Sequence, residues 1–277
     1  MRAFDSRHCA LGEGPFWHPG RGQFFWFDIL GRRLLAQGGA EWHFDRMASA
    51  AGRLGDGELL VATETGLAVL DLGTGALRGH VAVEADRADT RANDGRTDPF
   101  GGFWFSTMGK RAEPGAGSIY RYYRGRVERL FGDITIPNAI SFAGDGRLAY
   151  FADTARRIVW AQDLDAEGWP EGPRRVFLDL APEGLNPDGA AMDDKGGLWI
   201  AKWGAGAVMR YDAQGRRTHS LTVPGRHASC PAFGGADLGD MLVTTACEGI
   251  EAPDAAQGLP YLLRPGFHGL PEPEVVP

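Results

Sequence analysis

The chain is poor in cysteine. It has three in 277 residues, Cys9, Cys230 and Cys247, odd in number and far apart. That excludes a disulfide framework and a zinc knuckle and predicts three reduced thiols. No stretch approaches the ~20 consecutive apolar residues of a membrane span. The first residues, Met1 to Gly12, lack the basic-then-apolar layout of a secretory leader. A cytoplasmic protein with no membrane contact is therefore expected. Basic charge is not in excess either: 29 Lys and Arg stand against 36 Asp and Glu, a net charge of −7. An acidic surface repels phosphate backbones, so no nucleic-acid partner is expected. Stretches of helical length with a 3.6-residue apolar period, free of Gly and Pro, are missing. So are a G-x-S-x-G nucleophile elbow and an H-E-x-x-H metal helix, and His8, His18 and His43 have no ligand spacing. Cys230 and Cys247 lie beside apolar strands and are expected to pack there.

What is abundant is glycine, 41 residues scattered singly and in pairs, together with 8 Trp and 15 Phe. That mixture reads as many short strands joined by tight turns. Six segments share an apolar, aromatic-rich strand ending in a small or polar residue. They end at Asp28, Thr63, Ser106, Asp153, Ala201 and Thr244 and are spaced 35 to 48 residues apart. This is close to the ~40–50 residue period of propeller blades. The fourth repeat shows the internal plan: an apolar run from Pro137 to Ala143, a Gly144-Asp145-Gly146 turn, then strands at 147–153, 157–163 and 174–180. Four antiparallel strands per period make one blade. An all-β chain with six such periods and no linker-like break is expected to form a single domain, 1–277. Its expected fold is a six-bladed β-propeller with a central, metal-containing channel, whose closure removes exposed strand edges. A sandwich is the main rival, and the regular period argues against it.

In a propeller, matching positions of different blades converge on one end of the channel. Counting back from the aromatic strand, Glu13 lies 13 residues before Trp26, Asn93 lies 11 before Trp104, Asn138 lies 12 before Tyr150, and Asp188 lies 11 before Trp199. Four repeats thus place an oxygen-bearing side chain at one register. The other two offer Ala50–Ala51 and Pro231–Ala232 there and are expected to contribute none. Taken singly, Pro187-Asp188-Gly189, Asn93-Asp94-Gly95 and Gly12-Glu13-Gly14 are ordinary turn or loop sequences. The shared register is what makes them a candidate site. Two carboxylates brought close in a narrow channel repel unless a cation sits between them. Oxygen ligation favours one hard divalent ion, Ca²⁺, Mg²⁺ or Mn²⁺, with Zn²⁺ or Fe²⁺ also accommodated.

The same residues lie in stretches that resemble the SMP-30/gluconolactonase/regucalcin family of sugar lactonases over nearly the whole chain. These are LGEGPFWHP (Leu11 to Pro19), RANDGRTDPFGGFWFSTMG (Arg91 to Gly109), IPNAISF (Ile136 to Phe142) with YFADT (Tyr150 to Thr154), NPDGAAMDDKGGLWIA (Asn186 to Ala201) and PAFGGADLGDMLVTTA (Pro231 to Ala246). The resemblance implies the six-bladed propeller again. It implies Glu13, Asn138 and Asp188 as metal ligands, Asn93 beside the metal and the substrate, and Arg91 holding sugar oxygens. It implies hydrolysis of a sugar lactone, a small-molecule substrate, with no obligate protein partner. In that reading the metal polarises the ester carbonyl, and Asp188 doubles as ligand and general base. Plain ligation is the bland alternative for Asp188, and an ion pair with Asp89 or Asp94 is the bland one for Arg91. Trp17 and Trp203 could wall the pocket, with blade packing preferred for Trp17. After Thr107-Met108, animal members carry acidic sugar-binding residues; here the chain reads Gly109-Lys110-Arg111, so sugar identity is not carried over. The stretch after Gly258 also departs from the family pattern. The rival functions are a metal-dependent esterase or phosphotriesterase on the same scaffold and a non-catalytic calcium-binding regulator.

Overall fold

The computed structural model describes residues 2–277. Among them there is no helix, and hence none long and apolar enough to cross a membrane. The strands form six antiparallel sheets, each made of consecutive strands. Blade one comprises Gly12–His18, Gln23–Asp28, Arg33–Ala36 and Glu41–His43. Blade two comprises Ala48–Arg53, Glu58–Thr63, Gly66–Asp71 and Leu77–Ala82. Blade three comprises Thr90–Thr97, Phe103–Gly109, Gly117–Tyr123 and Arg126–Ile134. Blade four comprises Pro137–Phe142, Leu148–Asp153, Ile158–Leu164 and Pro170–Asp179. Blade five comprises Asn186–Met192, Leu198–Trp203, Ala207–Tyr211 and Arg217–Thr222. Blade six has only three strands, His227–Gly234, Asp240–Ala246 and Tyr261–Leu263. The first strand of each blade packs against the first strand of the next, and that of blade six returns to blade one. The chain is a six-bladed β-propeller.

The beginning of the chain completes the ring. Ala3 pairs antiparallel with Tyr261, and the Phe4 amide donates to the Pro260 carbonyl at 2.8 Å. N-terminal residues thus cover the third strand of blade six, which would otherwise present an open edge. The stretch after Leu263 crosses to the opposite end of the channel. It is pinned there by bonds from the Gly269 amide to Leu238, from Val275 to Arg53 and from Val276 to Gly101.

The second strand of each blade is buried on both faces, which explains its continuous apolar run. Trp26, Trp104 and Trp199 are wholly buried between blades. Two blades share one turn cassette. In DPFGGFW, Asp98 accepts from the Gly102 amide, Trp104 Nε1 and Arg121 Nε. In DDKGGLW, Asp193 accepts from the Gly197 amide, Trp199 Nε1 and Arg210 Nε. Each carboxylate ties the turn, the strand after it and the third strand together, so the cassette fixes strand register from inside the blade.

Candidate metal centre

All six inner strands carry a β-bulge at one height. The pairing slips between Glu13 and Phe16, Ala48 and Ala50, Ala92 and Gly95, Asn138 and Ser141, Pro187 and Ala190, and Ala228 and Pro231. Bulges re-aim side chains and are common beside active sites. Here they bring Glu13, Asn93, Asn138 and Asp188 to the channel's front end. The backbone chemistry follows the bulges. Gly14 has φ of +49°, and a Cβ there would lie 2.1 Å from the Ser49 carbonyl oxygen. Ala139, after Asn138, takes the left-handed region at φ 56° without the freedom of glycine. Gly189, after Asp188, leaves room for Cys230, whose Sγ would sit 2.3 Å from an added Cβ.

The bulges also correct the expected register of the two remaining blades. Ser49 and Ser229, not Ala50–Ala51 and Pro231–Ala232, sit at the bulge, because the extra residue shifts the count by one or two. Neither hydroxyl joins the site's hydrogen-bond network. Ser229 Oγ donates to the Gly12 carbonyl, and Ser49 Oγ is buried without a partner.

A cavity of about 590 Å³ opens at this end, and Glu13, Arg91, Asn93, Asn138 and Asp188 all line it. The five candidates are thus brought together from blades one, three, four and five. A hydrogen-bonded chain runs across them. Arg91 Nη1 donates to Asn93 Oδ1 at 2.8 Å, and Asn93 Nδ2 donates to Asn138 Oδ1 at 2.9 Å. Asn138 Nδ2 then donates to Thr154 Oγ1 at 2.9 Å, and Thr154 donates to the Pro187 carbonyl at 2.6 Å. This directional chain sets the Asn138 amide with nitrogen toward Thr154 and oxygen on the Asn93 side. Arg91 makes no ion pair with Asp89 or Asp94; its partners are the Ala92 carbonyl and Asn93. Trp203 walls the same cavity, stacked on His227 at 4.2 Å. Trp17 lines a different cavity at the rear of the channel.

Burial dominates the electrostatics. It pushes the Glu13 carboxyl well up, helped by the charge of Asp94. Asp188 is also raised well above the usual carboxylate range, by burial and by the charges of Glu13 and Asp94. Asp94 is spoken for: its oxygens accept from the Gly95 and Ile140 amides at 2.9 and 2.7 Å. Among the described residues no cluster of three or more His, Cys, Asp or Glu side chains is placed to hold a metal. A cation here therefore needs the Asn138 amide beside Glu13 and Asp188. The donor set fits a hard divalent ion. It is all oxygen, it carries two negative charges, and it is too dry to keep both carboxylates ionised without a counter-charge.

The family model described as the SMP-30/Gluconolactonase/LRE-like region matches residues 11–247. The chain belongs to this family. A Rhizobium meliloti (strain 1021) protein, whose name places it among sugar lactone lactonases, is 40% identical over 262 residues, 92% of this chain and 88% of that protein. The L-arabinolactonase of Azospirillum brasilense is 36% identical over 256 residues, 89% of this chain and 84% of its own. The crystal structure of a calcium-binding protein, regucalcin, from Agrobacterium tumefaciens superposes with a TM-score of 0.94 at 39% identity. It covers 99% of this chain and 96% of that one.

Within this family fold, several residues at the site carried no signal of their own in the sequence. Thr154, Arg157, Asn186 and Glu248 all line the front cavity. Thr154 and Asn186 lay inside quoted motifs, but neither shares the ligand register. Arg157 sits in a hairpin turn and Glu248 in a loop past the last motif. Arg96 lies behind the site. Its Nε donates to the Ile140 carbonyl and its Nη2 to the Ala190 carbonyl, each two residues beyond a candidate ligand. Its Nη1 reaches Glu272 of the C-terminal stretch at 3.3 Å.

Proposed function

We propose that this chain is a lactonase that opens a sugar lactone with the help of one divalent metal ion held by Glu13, Asn138 and Asp188. Lactone hydrolysis is the activity that several of its relatives are named for, and it makes the chain a carboxylic-ester hydrolase. The observation that carries the metal-dependent reading is the meeting of two buried carboxylates and a directed amide with Arg91 and Asn93 in one open cavity.

When bound, the ion supplies Lewis-acid polarisation of the ester carbonyl and makes a nearby water more acidic. The chain's own residues supply the rest. Asn93, held between Arg91 and Asn138, fixes one edge of the sugar, and Arg91 donates to its oxygens. The ionised carboxylate of Asp188 takes the proton of the attacking water. The water oxygen bonds to the carbonyl carbon, the ring carbon–oxygen bond breaks, and the ring oxygen collects a proton to leave a hydroxy acid. Burial of Glu13, Asn93, Asn138 and Asp188 at the floor of the cavity strengthens their electrostatics.

The test is a pH-indicator screen of five- and six-membered aldonolactones. It uses chelated protein refilled with single metals, with spontaneous opening subtracted. Asp188→Ala should lose both metal content and hydrolysis while its β-sheet circular dichroism stays. Hydrolysis at the wild-type rate in that variant removes Asp188 from the mechanism. Metal binding with every lactone left untouched hands the site to the calcium-regulator reading.

A further inference from the structure

The mouth of the front cavity is built unevenly. On the blade-three side stand Lys110 and Arg111, and between blades four and five stands Arg157. Opposite them, after the second strand of blade six, is one exposed carboxylate, Glu248. Lys110 pairs with Glu64, and Arg111 pairs with Glu113, so both cations are largely matched. Arg157 is not matched. Among the described residues no carboxylate pairs with it, and its single side-chain bond runs from Nε to Asn186 Oδ1 at 2.9 Å.

That bond is itself braced. The Asn186 amide donates to the Trp203 carbonyl at 3.2 Å, which fixes its oxygen toward the arginine. Asn186 begins the strand that carries Asp188, so the guanidinium is referenced to the catalytic strand. Nη1 and Nη2 are left without protein partners, and the half-buried side chain lines the cavity. The turn conformation does not by itself mark a ligand site. Arg32 takes the same hairpin position in blade one at φ 52°, against 58° for Arg157. But Arg32 is exposed and reaches only the Asp45 carbonyl. Arg157, unlike Arg32, lines the front cavity.

We propose that Arg157 selects lactones carrying an anionic group at the end of the sugar remote from the ester carbonyl: a carboxylate, sulfonate or phosphate. This rests on the lactonase reading. A planar fork with one nitrogen immobilised and two free matches two oxygens of such a group. A neutral hydroxymethyl offers a single oxygen and no charge. Glu248, across the mouth, disfavours the reverse orientation of an anionic lactone.

The experiment compares kcat/KM of the metal-loaded protein for neutral gluconolactone with that for glucarolactone, 6-phosphogluconolactone and 6-deoxy-6-sulfogluconolactone. The three anions tell the charged groups apart. We expect at least one to be preferred over the neutral lactone. We expect Arg157→Gln to cut that preference roughly tenfold to a hundredfold, mainly through KM, as for loss of a charge-assisted bond. Arg157→Lys, which keeps the charge but not the fork, should retain part of it. Added salt should raise KM for the anionic lactone alone. Two results overturn the assignment and leave the lactonase reading intact: neutral lactone preferred to all three anions, or an unchanged preference in Arg157→Gln. Failure to open any lactone overturns both.

Discussion

Thr154 is the joint between the strands that carry the proposed ligands Asn138 and Asp188, and Thr154→Val tests it with little change of shape. The hydroxyl accepts from Asn138 Nδ2 at 2.9 Å and donates to the Pro187 carbonyl at 2.6 Å. It therefore links the blade-four strand carrying Asn138 to the residue before Asp188 in blade five. Valine keeps the volume and removes both bonds. Each is worth about 1 kcal/mol net, so global stability should fall by about 2 kcal/mol. The functional effect is separate. Without the Thr154 hydroxyl the Asn138 amide loses the acceptor that orients it, and losing a partner that orients a ligand typically weakens metal binding by about 10- to 100-fold. That is roughly 1.4 to 2.8 kcal/mol of binding free energy. Isothermal titration of chelated protein with Mn²⁺ and Ca²⁺ reads the affinity, and urea unfolding reads the stability. Thr154→Ser keeps the hydroxyl and should hold affinity near wild type. A folded Thr154→Val protein that binds both ions within twofold of wild type would refute the argument.

Lys202 should make stability depend on pH in an unusual direction. It is wholly buried, 4.7 Å over the Tyr211 ring, with no hydrogen-bond partner for its amine. Burial lowers its pKa from 10.5 to about 7. Between pH 10.5 and 7 the unfolded chain takes up a proton that the folded one refuses, so stability falls as pH falls and the penalty is complete below 7. Lys202→Met should lift stability at pH 6 by up to about 5 kcal/mol and flatten the slope from 7 to 10 in urea-unfolding series. An unchanged slope would show the amine to be solvated. Glu272→Gln should remove the counter-charge of Arg96 and cost about 1–2 kcal/mol. It should also loosen the Ile140 and Ala190 carbonyls, read as faster exchange of the backbone amides around Asn138 and Asp188. Unaltered exchange would separate the C-terminal stretch from the site.

The architecture was written in the chain's periodicity. Six apolar strands at blade spacing need six equivalent environments buried on both faces, and a closed ring provides them. The same period made Glu13, Asn93, Asn138 and Asp188 legible as one register, since equivalent positions in a ring must converge. Other features depended on tertiary structure. Counting residues could not locate the bulges, because an extra residue is visible only against its paired strand; hence the count gives Ala50–Ala51 and Pro231–Ala232 the register that Ser49 and Ser229 hold. Closure by Ala3 and the crossing of Glu272 beneath the channel join segments with no shared pattern. The roles of Thr154, Asn186 and Arg157 depend on which way a hydroxyl, an amide and a guanidinium point. That direction is set by neighbouring blades, because a side chain's hydrogen-bond partners are chosen by packing and not by its place along the chain.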